Sequence, residues 1–118
     1  MGKPLVIIVE DDPVQNQIFT ITLKDDFTVE TYLDGDAASA RLDEVVPVIL
    51  ILDLNLPGTP GKDILSRVRQ DDRLANLRVI LTTADEQQAD MLRSEADLVL
   101  LKPISPIQLK ELSKRMSY

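Results

Sequence analysis

The chain has 118 residues, 44% of them hydrophobic and 28% charged, with a formal net charge of −7, which is enough for one domain with a buried core. It has no Cys and no His, which excludes disulfides, thiolate metal sites and thiol nucleophiles and removes the commonest general base and transition-metal ligand. The acidic balance argues against nucleic acid as a direct partner, and the longest apolar run, five residues, is far short of the roughly 20 that cross a bilayer, so no membrane and a cytoplasmic setting are expected.

Leu5 to Val9 is a continuous apolar run that reads as a buried parallel strand, and Glu10 and Asp11 follow it at once. Asp12 reads as the N-cap of a first helix with Pro13 at its start and Val14, Ile18 and Ile21 on one face. Thr28 to Tyr32 alternates, as an edge strand does, and an Ala-rich helix is predicted from about Gly35 to Val45. The run Val48 to Leu52 ends in Asp53, with Asn55, Pro57 and Gly58 in the turn that follows. Thr59 is predicted to cap the next helix ahead of Pro60, with Ile64, Leu65 and Val68 as its buried stripe. A fourth strand starts near Arg78, passes through Val79-Ile80-Leu81 to Thr82, Thr83 and Ala84, and is followed by a helix from about Gln87 to Glu95. Leu98 to Leu101 leads into Lys102-Pro103, and the last helix carries Leu109, Leu112 and Met116 at helical spacing and closes with Tyr118.

Strand and helix patterns that alternate in this way are the signature of βαβ units. The expected fold is α/β: a doubly wound, five-stranded parallel sheet in the order 2-1-3-4-5, flavodoxin-like, with five helices. In such a sheet ligands bind at the carboxyl ends of the strands, where the order switches. Four strands carry polar chemistry at that end.

Glu10, Asp11 and Asp53 brought to one rim repel one another unless a cation sits between them. Mg²⁺ is the natural candidate, since it takes one or two carboxylates and leaves a position for a phosphate oxygen. Asp12 is assigned to capping instead. Lys102 is the one cation expected among three acids. Thr83 offers a hydroxyl and Ala84 a backbone N–H to phosphoryl oxygens, although a Thr that merely ends a strand explains the residue equally well. A carboxylate nucleophile, a metal, a Lys and a hydroxyl donor are what an acyl-phosphate site requires. Two other motifs fail. Gly58 to Lys62 has glycines too close for a phosphate loop and Asp63 where Ser or Thr is required, and the acids after strand one would repel a flavin phosphate.

Val-Glu-Asp-Asp at 9–12, Leu-Asp-Leu-Asn-Leu-Pro-Gly at 52–58, Gly61, Thr-Ala at 83–84 and Lys-Pro at 102–103 together resemble the receiver domain of two-component response regulators over essentially residues 1–118. The resemblance implies that Asp53 is the phosphoacceptor and that Asp11, Asp53 and the Asn55 carbonyl hold Mg²⁺, with Glu10 acting through water. It implies that Thr83, the Ala84 amide and Lys102 grip the phosphoryl oxygens, and that Lys102-Pro103 is cis. The phosphoryl donor is then a histidine kinase or a histidine phosphotransfer protein, and the signal passes to a downstream protein or an attached output domain. The chain departs from the family pattern at Val99, where an aromatic is usual, and at Lys62 and Ile104. It also keeps only Asp97 and Arg115 of the charges that pair dimerising transcriptional receivers.

The expected function is a phosphoacceptor signalling switch that catalyses its own phosphorylation and dephosphorylation without being a turnover enzyme. An aspartate-nucleophile phosphohydrolase shares Asp, Thr and Lys, but wants a general acid two residues after the nucleophile, where this chain has Asn55. A pseudo-receiver that takes no phosphate is the other alternative. A domain from a longer protein is favoured over a stand-alone receiver.

Overall fold

Each predicted strand forms: β1 (Leu5–Val9), β2 (Thr28–Tyr32), β3 (Ile49–Asp53), β4 (Arg78–Thr83) and β5 (Leu98–Leu101). The computed structural model, which describes residues 2–117, arranges them in one sheet of order β2-β1-β3-β4-β5, every neighbouring pair parallel. Parallel neighbours need crossover connections, and these are α1 (Pro13–Leu23), α2 (Gly35–Leu42), α3 (Gly61–Gln70) and α4 (Glu86–Leu92), with α5 (Pro106–Met116) closing the fold. Among the described residues no helix is long and apolar enough to cross a membrane.

Alternation along the strands divides the interior in two. Ile7, Val9, Leu50, Leu52, Val79 and Leu81 pack against Ala38 and Leu42 of α2, Ile64, Leu65 and Val68 of α3, and Ala89 of α4. Val6, Ile8, Ile49, Ile51, Ile80 and Leu100 face the other way, onto Phe19 and Leu23 of α1 and Leu109 of α5. Covered on both sides, β3 is buried at every position, which is why its sequence reads as unbroken hydrophobicity rather than as alternation. β2, at the sheet edge, is only partly covered.

The apolar stripe read for α1 is not the face that packs on the sheet. Val14, Ile18 and Ile21 are 65%, 40% and 56% exposed, while Asn16, Phe19 and Leu23 face the sheet. Both sets have helical spacing, and the burial of a large aromatic and the satisfaction of Asn16 decide between them. The Asn16 Nδ2 donates to the Glu10 carbonyl at 3.1 Å and to the Tyr32 carbonyl at 3.3 Å, which ties α1 to the ends of β1 and β2.

Asp12 caps α1 as expected, accepting from the Val14 N–H at 3.0 Å. Thr59 does not cap α3. The cap position is Pro60, without a side-chain bond, because the Thr59 hydroxyl donates instead to Asp36 Oδ1 at 2.5 Å, anchoring the β3–α3 loop to α2. Helix ends also move: α2 stops at Leu42, and α4, capped by Asp85, begins at Glu86 and stops at Leu92. α5 ends at Met116, and Tyr118, where the last helix was expected to close, lies outside the described residues.

Candidate functional site

The register places the four polar strand ends side by side. Val9 pairs with Leu52, Asp53 with Thr82 and Thr83 with Leu101, so Glu10, Asp53, Thr83 and Lys102 come from adjacent strands. Gly61 lets α3 start directly over β3, since a Cβ there would lie 2.4 Å from the Asp53 carbonyl oxygen. Gly58, at φ +73°, makes the loop turn that other residues resist.

Asp53 is 1% exposed and both of its oxygens are engaged. Oδ1 accepts from the Asn55 N–H at 3.0 Å, and Oδ2 accepts from Lys102 Nζ at 2.8 Å. The same ammonium lies 3.1 Å from Glu10 Oε1. Burial acts to lower the Lys102 pKa, but the Asp53 and Glu10 carboxylates outweigh it, so the net shift is upward and the side chain stays charged. Glu10 is 1% exposed, and burial first, then the neighbouring Asp53, raises its carboxyl to about 7 against the opposing pull of Lys102.

Carboxylate oxygens of Glu10, Asp11 and Asp53 lie within 4.8 Å of one another. Although Glu10 Oε1 lies 3.1 Å from Lys102 Nζ, the contact lacks hydrogen-bond geometry, which leaves this buried oxygen without a hydrogen-bond partner. Crowded carboxylates with an unsatisfied oxygen fit a hard divalent cation, and Asp11, exposed at the rim, leaves an open approach.

Thr83 is fully buried. Its hydroxyl donates to Gln88 Oε1 at 3.1 Å and accepts from the Asp85 N–H at 3.1 Å, while Ala84 is exposed at the mouth of β4. The Lys102-Pro103 bond is cis, as expected. Asn16 and Gln88 were not foreseen. A polar residue opposite an apolar helical stripe signals solvent, and nothing in local spacing says that Gln88 reaches back to Thr83. Beside the site, a cleft of about 750 Å³ runs between the β3–α3 loop and α4, lined by Asp11, Asn55, Lys62, Gln88 and Met91 among others. Val99 is buried in the α2–α4 half of the core and Ile104 in the other.

A family profile for the response regulator receiver domain matches residues 6–114. The chain belongs to that family. It is 34% identical over 117 residues to the phosphate regulon transcriptional regulatory protein PhoB of Rhizobium meliloti, covering 96% of this chain and 52% of that protein. To the transcriptional regulatory protein TrcR of Mycobacterium tuberculosis it is 35% identical over 119 residues, covering 98% and 45%. The receiver chain thus spans about half the length of these relatives. A putative response regulator from Chloroflexus aurantiacus superposes with a TM-score of 0.90 at 25% identity over 98% of both chains. The receiver domain of the Pseudomonas aeruginosa sensor histidine kinase PA1611, solved with magnesium in its active-site cleft, superposes with a TM-score of 0.88 at 22% identity, over 98% of both chains. The chain is thus a response regulator receiver domain of two-component signal transduction.

Proposed function

We propose that Asp53 is the phosphoacceptor of this domain and that Glu10, Asp11, Asn55, Thr83, Ala84 and Lys102 serve its phosphorylation. The observation that carries the reading is the Asp53 carboxylate held between the Lys102 ammonium at 2.8 Å and the Asn55 N–H at 3.0 Å. In the transfer, an oxygen of Asp53 bonds to phosphorus as the P–N bond of a donor phosphohistidine breaks, and the bonding pair leaves with the imidazole. Lys102 then faces a phosphoryl oxygen with its charge, and Thr83 and the Ala84 amide offer hydrogen bonds. Asp11, Asp53 and the Asn55 carbonyl would hold Mg²⁺, with Glu10 through water, and the ion would neutralise charge on the transferring oxygens.

Residues 1–118 contain no His, so the donor phosphohistidine lies outside them, on a histidine kinase or a histidine phosphotransfer protein, in a cytoplasmic setting. Its docking surface is the exposed side of α1. Val14, Ile18 and Ile21 form an apolar stripe there, and Ile107 is 74% exposed at the start of α5, which begins at the same end of the sheet. An exposed apolar stripe on a helix that starts at the rim suits a partner that must bring its phosphohistidine there. The output is a downstream protein or an attached domain.

Acetyl phosphate with Mg²⁺ tests the assignment. Intact mass is expected to rise by one phosphoryl group, labile to hydroxylamine, and Asp53→Asn to abolish the gain. An unchanged gain in that variant assigns the chemistry elsewhere, and no gain in the wild type favours the pseudo-receiver.

A further inference from the structure

Thr83 is fully buried, so its hydroxyl proton cannot turn to solvent, and that proton is donated to Gln88 Oε1 at 3.1 Å. A hydroxyl has one proton and two lone pairs. One lone pair is occupied by the Asp85 N–H at 3.1 Å, and Asp85 in turn caps α4 by accepting from the Gln87 and Gln88 N–H groups at 2.9 and 3.4 Å. Thr83, Asp85 and Gln88 therefore form a closed circuit at the start of α4, with Gln88 half-buried and lining the cleft beside Asn55 and Lys62.

We propose that Gln88 is a positioning residue that competes with the phosphoryl group for the Thr83 proton, so that α4 senses phosphorylation through its side-chain amide. The inference rests on Asp53 being the phosphoacceptor. A phosphoryl oxygen that takes the Thr83 proton leaves Gln88 Oε1 without its donor. The amide then turns by half a rotation, so that Nε2 donates to the remaining lone pair of the hydroxyl, or it leaves Thr83 and frees the first turn of α4. Either response changes the cleft wall that holds Gln88, Met91 and Leu92.

The test is a cycle of Gln88→Leu and Thr83→Ala, read by amide NMR during titration with beryllofluoride in the presence of Mg²⁺. Removing the competing acceptor is expected to tighten beryllofluoride binding about three- to tenfold, the worth of one neutral hydrogen bond, and to have no effect when Thr83 is already Ala. In the wild type the Gln88 side-chain NH₂ resonances are expected to shift on binding, and in Thr83→Ala to stay. An equal effect of Gln88→Leu in both backgrounds, or unmoved NH₂ resonances in the wild type, overturns the role of Gln88 while leaving Asp53 as phosphoacceptor. Beryllofluoride binding that survives Asp53→Asn overturns both.

Discussion

Lys102 Nζ lies 2.8 Å from Asp53 Oδ2, an ion pair between residues 49 apart in the chain. The cation comes from the end of β5 and the acid from the end of β3, with β4 between them. Lys102→Ala removes the ammonium that lies against both Asp53 and Glu10. Labelling of Asp53 by acetyl phosphate is expected to slow on the order of 100-fold, as when one preorganised electrostatic donor is lost. Mg²⁺ binding should persist. Intact-mass time courses measure the first, and a labelling rate equal to that of wild type would remove Lys102 from the chemistry.

The crowded carboxylates predict weak binding of Mg²⁺ or Mn²⁺. Titration is expected to move amide resonances of residues 10–12 and 53–58, while Asp53→Asn weakens the response and keeps the fold. Shifts confined to other acidic surfaces would contradict the assignment.

The two faces of α1 differ in what they stabilise. Phe19→Ala removes a fully buried ring and is expected to cost about 3–5 kcal/mol. Ile21→Ala changes a side chain that is 56% exposed and is expected to stay within about 0.5 kcal/mol of wild type. Urea melts of both variants check this. Ile18→Ser, on the same exposed face, is expected to slow phosphotransfer from a partner kinase and leave acetyl phosphate labelling unchanged.

Asp97 accepts from the Val79 N–H at 2.7 Å and pairs with Arg69 at 3.0 Å and Arg78 at 3.4 Å. Desolvation acts to raise its pKa, but the Val79 N–H and the two guanidiniums outweigh it, so the net shift is down from 3.8. A depressed carboxyl stabilises the fold above its unfolded pKa, and the contribution disappears as pH falls through the folded value. Asp97→Asn should therefore cost roughly 1 kcal/mol at neutral pH, a difference that closes below about pH 4. Chemical denaturation across pH measures it, and a gap that persists in acid would show that charge is not the cause.

With Asp97 engaged inside the chain, a cross-dimer pair with Arg115 would have to break those bonds, and an exposed pair contributes only about 0–1 kcal/mol. The beryllofluoride-bound domain is expected to sediment as a monomer at micromolar concentration. A strong activation-dependent dimer lost in Arg115→Ala would refute this.

The strands and their order were legible because strands buried on both faces must be apolar throughout, and because alternating helices force parallel pairing. The candidate site followed from the same rule: a polar residue that ends a buried strand emerges at the rim, so Glu10, Asp53, Thr83 and Lys102 could be placed together from sequence. Which face of α1 is buried could not be read there. Val14, Ile18 and Ile21 satisfy helical periodicity as well as Phe19 and Leu23 do, and only the sheet beneath, with two carbonyls awaiting Asn16, separates the two sets. Thr59 has the chemistry of a helix cap, and proximity to Asp36, set by how the loop lies on α2, gives its hydroxyl a better partner. Gln88 reaches Thr83 for a similar reason. Local sequence determines which groups can form hydrogen bonds, and tertiary structure decides which of the competing partners each one finds.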